Sequence, residues 1–252
     1  MKTKLYRNNN IIAGITLKDS DAPEMGNMAL HACVDPDTIL ENRQELALLL
    51  DTELNSFVCA NQTHSHNFYK VTAADKGRGA TFQDTAIADT DALYTFEPNI
   101  VLCSFTADCV PVIFYDDVKG LIGVIHSGWQ GTVKEITSAV MKQIIDTEGC
   151  RPENLHVHLG PALSQEKFEV DEDVYVKFNK LGYAEEFMYF KEETGKYHID
   201  NQLTVKKQCE IAGIPSDHIV IDRTCTYISP EGFSYRQDKK SGRHLSFIVK
   251  KN

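Results

Sequence analysis

Two residue types that bind soft metal ions stand on either side of a short turn. Cys109 closes the stretch Thr106-Ala107-Asp108-Cys109, and His126 opens His126-Ser127-Gly128-Trp129. Between them run two apolar, β-branched stretches, Val110–Tyr115 and Leu121–His126, joined by Asp-Asp-Val-Lys-Gly. That pattern reads as a hairpin whose turn ends at Gly120. A hairpin symmetric about the midpoint of Cys109 and His126, between Asp117 and Val118, sets the two residues opposite each other. Their Cβ atoms would then lie about 4.5–5.5 Å apart. A slip of one residue would turn them to opposite faces. A thiolate beside an imidazole suits zinc, with copper as the competitor. A third ligand has to come from elsewhere. His64 and His66, in Gln62-Thr63-His64-Ser65-His66, are the candidates, in a bend between two strands. Three protein ligands leave one coordination position open, as a catalytic zinc requires.

Other residues carry weaker signals. Ser127-Gly128-Trp129-Gln130-Gly131 leads into a helix expected from Thr132. Free amides there, with Gly128 and Gly131 allowing close approach, would suit an anion, although a bare strand-to-helix turn accounts for the pattern more simply. Arg236 and Arg243 would bind an anion or pair with surface acids. Asp89 and Asp91 read either as paired carboxylates or as turn residues. His156 and His158 share a strand face and read as exposed or hydrogen-bonded histidines rather than ligands.

The elements that must position these groups alternate along the chain. Helices are expected over Asp37–Asp51 and Thr132–Thr147 from apolar residues at helical spacing, and also over Asp171–Leu181 and Asn201–Ala212. Strands are expected over Ser56–Ala60, Phe68–Ala73, Ile100–Phe105, Val110–Tyr115, Leu121–His126, Leu155–Leu159, Ile219–Ile221 and Leu245–Val249. With at least one antiparallel hairpin among alternating strands and helices, the sheets should be mixed, in an α/β fold. The Glu169–Asp173 charge run reads as a solvated face.

The chain has 252 residues, 36 of them acidic and 26 basic, for a net charge of −10. One domain spanning 1–252 is the expectation, because no repeat, linker or composition shift divides it. The negative balance disfavours a phosphate backbone as a partner, so no nucleic acid is expected. No apolar run approaches a membrane span, and the N-terminus lacks an apolar signal segment. The expectation is a cytoplasmic protein, with monomer and homodimer both open. Seven cysteines without a CxxC pair do not form a disulfide framework.

Taken together the motifs resemble the YfiH-type family, labelled multicopper polyphenol oxidase or laccase-domain proteins and later described as purine nucleoside phosphorylases. The resemblance covers nearly the whole chain. It rests most on Thr106–Pro111 with His126–Trp129, supported by Gly26–His31, Asn42-Arg43, Gln62-Thr63-His64, Asp91–Thr95, Leu159–Ala162, Phe168–Val170, Asp222–Cys225, Phe233–Arg236 and Ser241–Arg243. It implies a layered α/β sandwich with mixed β-sheets. It implies zinc held by His64, Cys109 and His126, selecting His64 over His66. It also implies phosphorolysis of adenosine, inosine, guanosine and methylthioadenosine, with adenosine deamination as a further activity. On that reading Arg43 and the Gly128–Gly131 amides position phosphate, with Asn27, His31 and Arg243 as further substrate or phosphate contacts. Asp108 or His31 would carry a proton. The chain departs from the family at Gln130, where arginine is frequent, and at Cys33-Val34 before Asp35. Three rival readings stand beside this one: a hydrolase editing a cell-wall nucleotide-sugar precursor, a copper-dependent polyphenol oxidase, and a non-catalytic module whose metal has a fourth protein ligand, His66 or Cys103.

Overall fold

The computed structural model describes all 252 residues. In chain order, β1 (Thr3–Asn8) and β2 (Ile11–Thr16) form a hairpin, followed by α1 (Pro36–Leu49) and β3 (Phe57–Val58). Next come β4 (Phe68–Lys70), β5 (Ala92–Thr95), β6 (Val101–Thr106), β7 (Val110–Asp116) and β8 (Ile122–Ser127). Then follow α2 (Trp129–Val133), α3 (Ile136–Lys142), β9 (Leu155–Leu159), β10 (Glu169–Val170) and α4 (Glu172–Asn179). The chain ends with β11 (Met188–Lys191), β12 (Lys196–Ile199), α5 (Asn201–Ile211), β13 (Ile219–Ile221) and β14 (His244–Lys250).

The strands form three sheets: β1-β2-β14-β6-β3, β13-β9-β7-β8-β5-β4, and the small β10-β12-β11. Antiparallel pairs predominate, but β3–β6, β4–β5 and β9–β13 are parallel, so the two larger sheets are mixed as expected. Side-chain alternation explains how they stack. Val101, Cys103 and Phe105 of β6 pack with Leu46, Ala47 and Leu50 at the end of α1. Leu102, one residue out of phase, packs instead against Ile113, Tyr115, Ile122 and Val124 of the other large sheet. The opposite face of that sheet, through Val112 and Phe114, packs on Ile136, Val140 and Met141 of α3 and Val205 and Cys209 of α5. The result is four layers, helix, sheet, sheet, helix. Both faces of the central strands are buried, which is why they read as unbroken apolar runs. A smaller cluster of Phe168, Val170, Phe178 and Ile199 joins the third sheet to α4 and stands beside Trp129.

Two local expectations are corrected. The helix expected from Thr132 starts at Trp129, with Gly128 as its N-cap. It breaks at Glu135, which has a left-handed φ of 59°, before α3 resumes. The hairpin turn is centred between Val118 and Lys119, one residue later than symmetry about Cys109 and His126 requires. The ladder pairs Pro111 with His126 and Val110 with Ser127. Asp116 stays in the strand because its Oδ1 accepts the amides of Val118 and Lys119, at 2.9 and 2.7 Å, and so folds the turn beyond itself.

Candidate metal centre and cavity

Three chain segments converge at one end of the second sheet. Cys109 immediately precedes β7, His126 is the penultimate residue of β8, and His64 sits in the turn between β3 and β4. The observed register places Cys109 across from Gly128 rather than from His126. A shift of two residues preserves the face, so the thiol and the imidazole still meet on a diagonal. The His64, Cys109 and His126 ligand atoms all lie within 4.8 Å of one another. Cys109 Sγ stands 3.8 Å from His64 Nε2. Gly128 makes this convergence possible. A Cβ on it would fall 2.7 Å from His64 Cδ2 and 2.9 Å from Cys109 Sγ.

Asp91 supports the cluster from behind. It is 2% exposed and its Oδ1 lies 2.7 Å from His126 Nδ1. That bond leaves Nε2 of His126 for the centre. Burial would raise the Asp91 carboxyl, but hydrogen bonds from His126 and Ser65 hold it down at about 2. Burial would likewise raise the Cys109 thiol; the His126 charge and hydrogen bonds from both histidines bring it to about 6. His126 itself is lowered by burial and raised more strongly by the Cys109 thiolate and Asp91, reaching about 9. Each partner thus favours the charged form of the other, thiolate beside imidazolium, when no metal is bound. One thiolate and two imidazoles, with a carboxylate behind one of them, fit a transition-metal ion.

The three side chains line a cavity of about 720 Å³. One wall is basic and polar, with His31, Arg236, Arg243 and Tyr235; another carries Glu169, Asp171 and Asp173 beside Leu163, Phe168 and Trp129. Arg243 lies over the Tyr235 ring, 5.7 Å from its centroid. Its Nη1 bonds the carbonyls of Ser241 and Gly242, leaving its other side-chain nitrogens uncommitted. His31 is held neutral, down at about 4, by burial and then by Arg243.

Other expected site residues have different duties. Arg43 is fully buried and donates to the carbonyls of Met28, Gly79 and Ala80 at 2.7–2.8 Å. It braces α1 against the loops at Met28 and Gly79-Ala80 and does not line the cavity, so the phosphate contact expected of it is withdrawn. Asn27 is also buried. It accepts the amides of Ala29 and Arg243 and donates to the carbonyl of Ala32, so it ties the His31 segment to Arg243. Gly131 lies inside α2, with Ile136, Ser65 and His126 crowding the place of a side chain. Asp108 does line the cavity, but Thr226 Oγ1 and the Arg236 amide each donate to its carboxylate at 2.7 Å. It anchors the Cys109 loop and is not free to carry a proton. Cys103 is buried in the core beneath the first sheet, and His66 is exposed outside the cavity wall, so neither supplies a fourth ligand.

The family model described as multi-copper polyphenol oxidoreductase laccase matches residues 19–251. The chain belongs to this family. The laccase-domain relatives include purine nucleoside phosphorylase YlmD of Bacillus subtilis, 36% identical over 96% of this chain and 89% of that protein. Adenosine deaminase RL5, from an unknown prokaryotic organism, is 31% identical over 89% of this chain and 87% of its own. The crystal structure of the Bacillus licheniformis hypothetical protein YfiH superposes with a TM-score of 0.94 at 33% identity, covering 99% of this chain and 97% of that one.

Two features of this laccase-domain site had no clear sequence signal. Asp91 was read with Asp89 as a paired carboxylate or a turn residue, and otherwise only as the first residue of the family-like block Asp91–Thr95; the pairing of Ala92 with Ile125 places it beside His126. The acidic wall fell within a charge run that resembles any solvated surface. Its proximity to the centre depends on the small third sheet, which no strong periodicity announces, packed beside α4, which falls within the helix expected over Asp171–Leu181.

Proposed function

We propose that the protein is a metal-dependent purine nucleoside phosphorylase working in the cytoplasm, with zinc as its resident ion and copper as the alternative. It would cleave adenosine, inosine, guanosine or methylthioadenosine with inorganic phosphate to the free base and the pentose 1-phosphate. What carries the reading is an open three-ligand centre on a cavity of about 720 Å³, with Arg243 on its wall, in a chain with relatives named for that reaction. The cavity is of the size that encloses small ligands.

His64, Cys109 and His126 would hold the ion. When bound, it supplies Lewis acidity in the cavity. The chain's own groups account for the rest. Arg243, stacked on Tyr235 and tethered through Asn27, presents a fixed cation to phosphate. Neutral His31 beside it supplies a hydrogen-bond donor or acceptor without competing for the charge. Leu163, Phe168 and Trp129 offer an apolar and aromatic surface to a purine ring. The carboxylates of Glu169, Asp171 and Asp173 suit a nucleoside whose ribose gains positive charge, although Lys196 and Lys177 pair with two of them.

A nucleotide-sugar hydrolase would use the same open centre and stays the alternative that product analysis separates. A polyphenol oxidase with four coppers would require further histidines at the centre, whereas His156 and His218 stack on each other, 4.4 Å between rings, outside the cavity lining. Adenosine deamination is kept as a second reading because of the relative named for it. Base release from inosine, with and without phosphate, tests the proposal. The expected result is phosphate-dependent release, lost together with the metal in Cys109→Ala. Undiminished release by metal-free Cys109→Ala would overturn it.

A further inference from the structure

Asp91 makes more contacts to the metal cluster than one ligand accounts for. Its side chain accepts from the backbone amides of Thr63, His64 and Ser65, at 3.1, 3.2 and 2.8 Å, and from Ser65 Oγ at 2.7 Å. On the other side it meets His126 Nδ1 at 2.7 Å, and its own carbonyl accepts the His126 amide at 2.7 Å. Three successive amides converge on one carboxylate because His64 adopts a left-handed φ of 57°. Such a turn is an anion-binding nest, here occupied by an internal anion. The conformation is costly for a residue with a Cβ and persists only where something over-determines it.

We propose that Asp91 is the positioning residue of the metal centre, setting the backbone of the His64 turn and the ring tautomer of His126 with one buried carboxylate. His64 and His126 lie on segments 62 residues apart in sequence, and the Asp91 carboxylate contacts both directly. Cys109 needs no such support, because it is fixed by the start of β7 and by the Asp108 anchor to Thr226 and Arg236. Asparagine in place of Asp91 has a similar shape. It lacks the charge and turns an NH2 group toward a surface of donors, so it removes this function with little change in volume. The inference rests on the metal reading of the triad and not on the purine substrate.

Its test is metal binding, which separates the two. Metal-free wild-type protein and Asp91→Asn are titrated with zinc against a chromophoric chelator, with circular dichroism to verify folding. The expected result is one zinc per chain in both, with affinity about 10- to 100-fold weaker in the variant, the usual loss for such a supporting group. Affinity within twofold of wild type overturns the proposal. Should the variant not fold, 15N spectra of histidine-labelled wild type with zinc decide alone. A proton on Nδ1 of His126 is expected, and a proton on Nε2 overturns the proposal. If zinc binding and tautomer behave as stated while no nucleoside is turned over, the fault lies with the substrate and not with Asp91.

Discussion

At the scale of single residues, type was a poor guide to duty for the arginines. Arg43 and Arg243 are both cations in family-like motifs, and both were expected to meet phosphate. Burial separates them. Arg43 is sealed in the core on three carbonyls, whereas Arg243 borders the cavity. Arg43→Ala should therefore cost stability, on the order of 3 kcal/mol or more, because it strands buried carbonyl groups. Urea unfolding would measure this, and the KM for phosphate should not change in the protein that folds. Arg243→Ala should do the reverse. It should raise the phosphate KM about tenfold or more, the loss of one charge-assisted contact, leave zinc stoichiometry unchanged, and cost less stability than Arg43→Ala, since only the Ser241 and Gly242 carbonyls and the Tyr235 ring lose a partner. The metal ligands were the most legible residues. Cysteine and histidine at a hairpin's ends signal metal by chemistry alone. Asp91 was not, since a carboxylate in a loop signals nothing until its partners are known.

At the scale of elements, the central strands were legible and their register was not. Val110–Asp116 and Ile122–Ser127 are buried on both faces, so their composition announces them. The register depends on the turn, and Asp116 moved it by capping two amides beyond the strand. The expected opposition of Cys109 and His126 failed, but the error was two residues and the cluster survived it. The short strands β10, β11 and β12 were not anticipated, because their half-exposed faces mix charged and aromatic residues without a long alternation. The corrected register gives Gly128 its role. Gly128→Ala would push a methyl group against both Cys109 and His64. The expected outcome is zinc affinity reduced about tenfold or more, with a much smaller change in thermal unfolding of the metal-free protein. Calorimetric titration with zinc checks it, and unchanged affinity would contradict the geometry.

At the scale of the whole molecule, the four layers place the centre where β7 begins and β8 ends, with the third sheet and α4 supplying the second wall of the cavity. The same packing stores a pH dependence. His244, at the start of β14, is fully buried between the carbonyl of Thr16 and the amide of Phe233, which donates to its Nε2 at 2.8 Å. Burial lowers it to about 4, from near 6.5 in the unfolded chain. Between those values the unfolded state binds the extra proton, so stability is present above about pH 6.5 and is lost as the pH falls toward 4. The contribution is about 3 kcal/mol. The urea midpoint should be lower at pH 5 than at pH 7, and His244→Gln should reduce that difference without abolishing it, because buried His31 is also lowered to about 4.

The central claim is that the cavity transfers a pentose from a purine to phosphate. The most direct measurement is identification of the sugar product, by 31P NMR, when zinc-verified protein is given adenosine or inosine with inorganic phosphate. The account predicts pentose 1-phosphate in equal amount to free base, and no base when phosphate is omitted. Free ribose, or inosine from adenosine as the sole product, would contradict it.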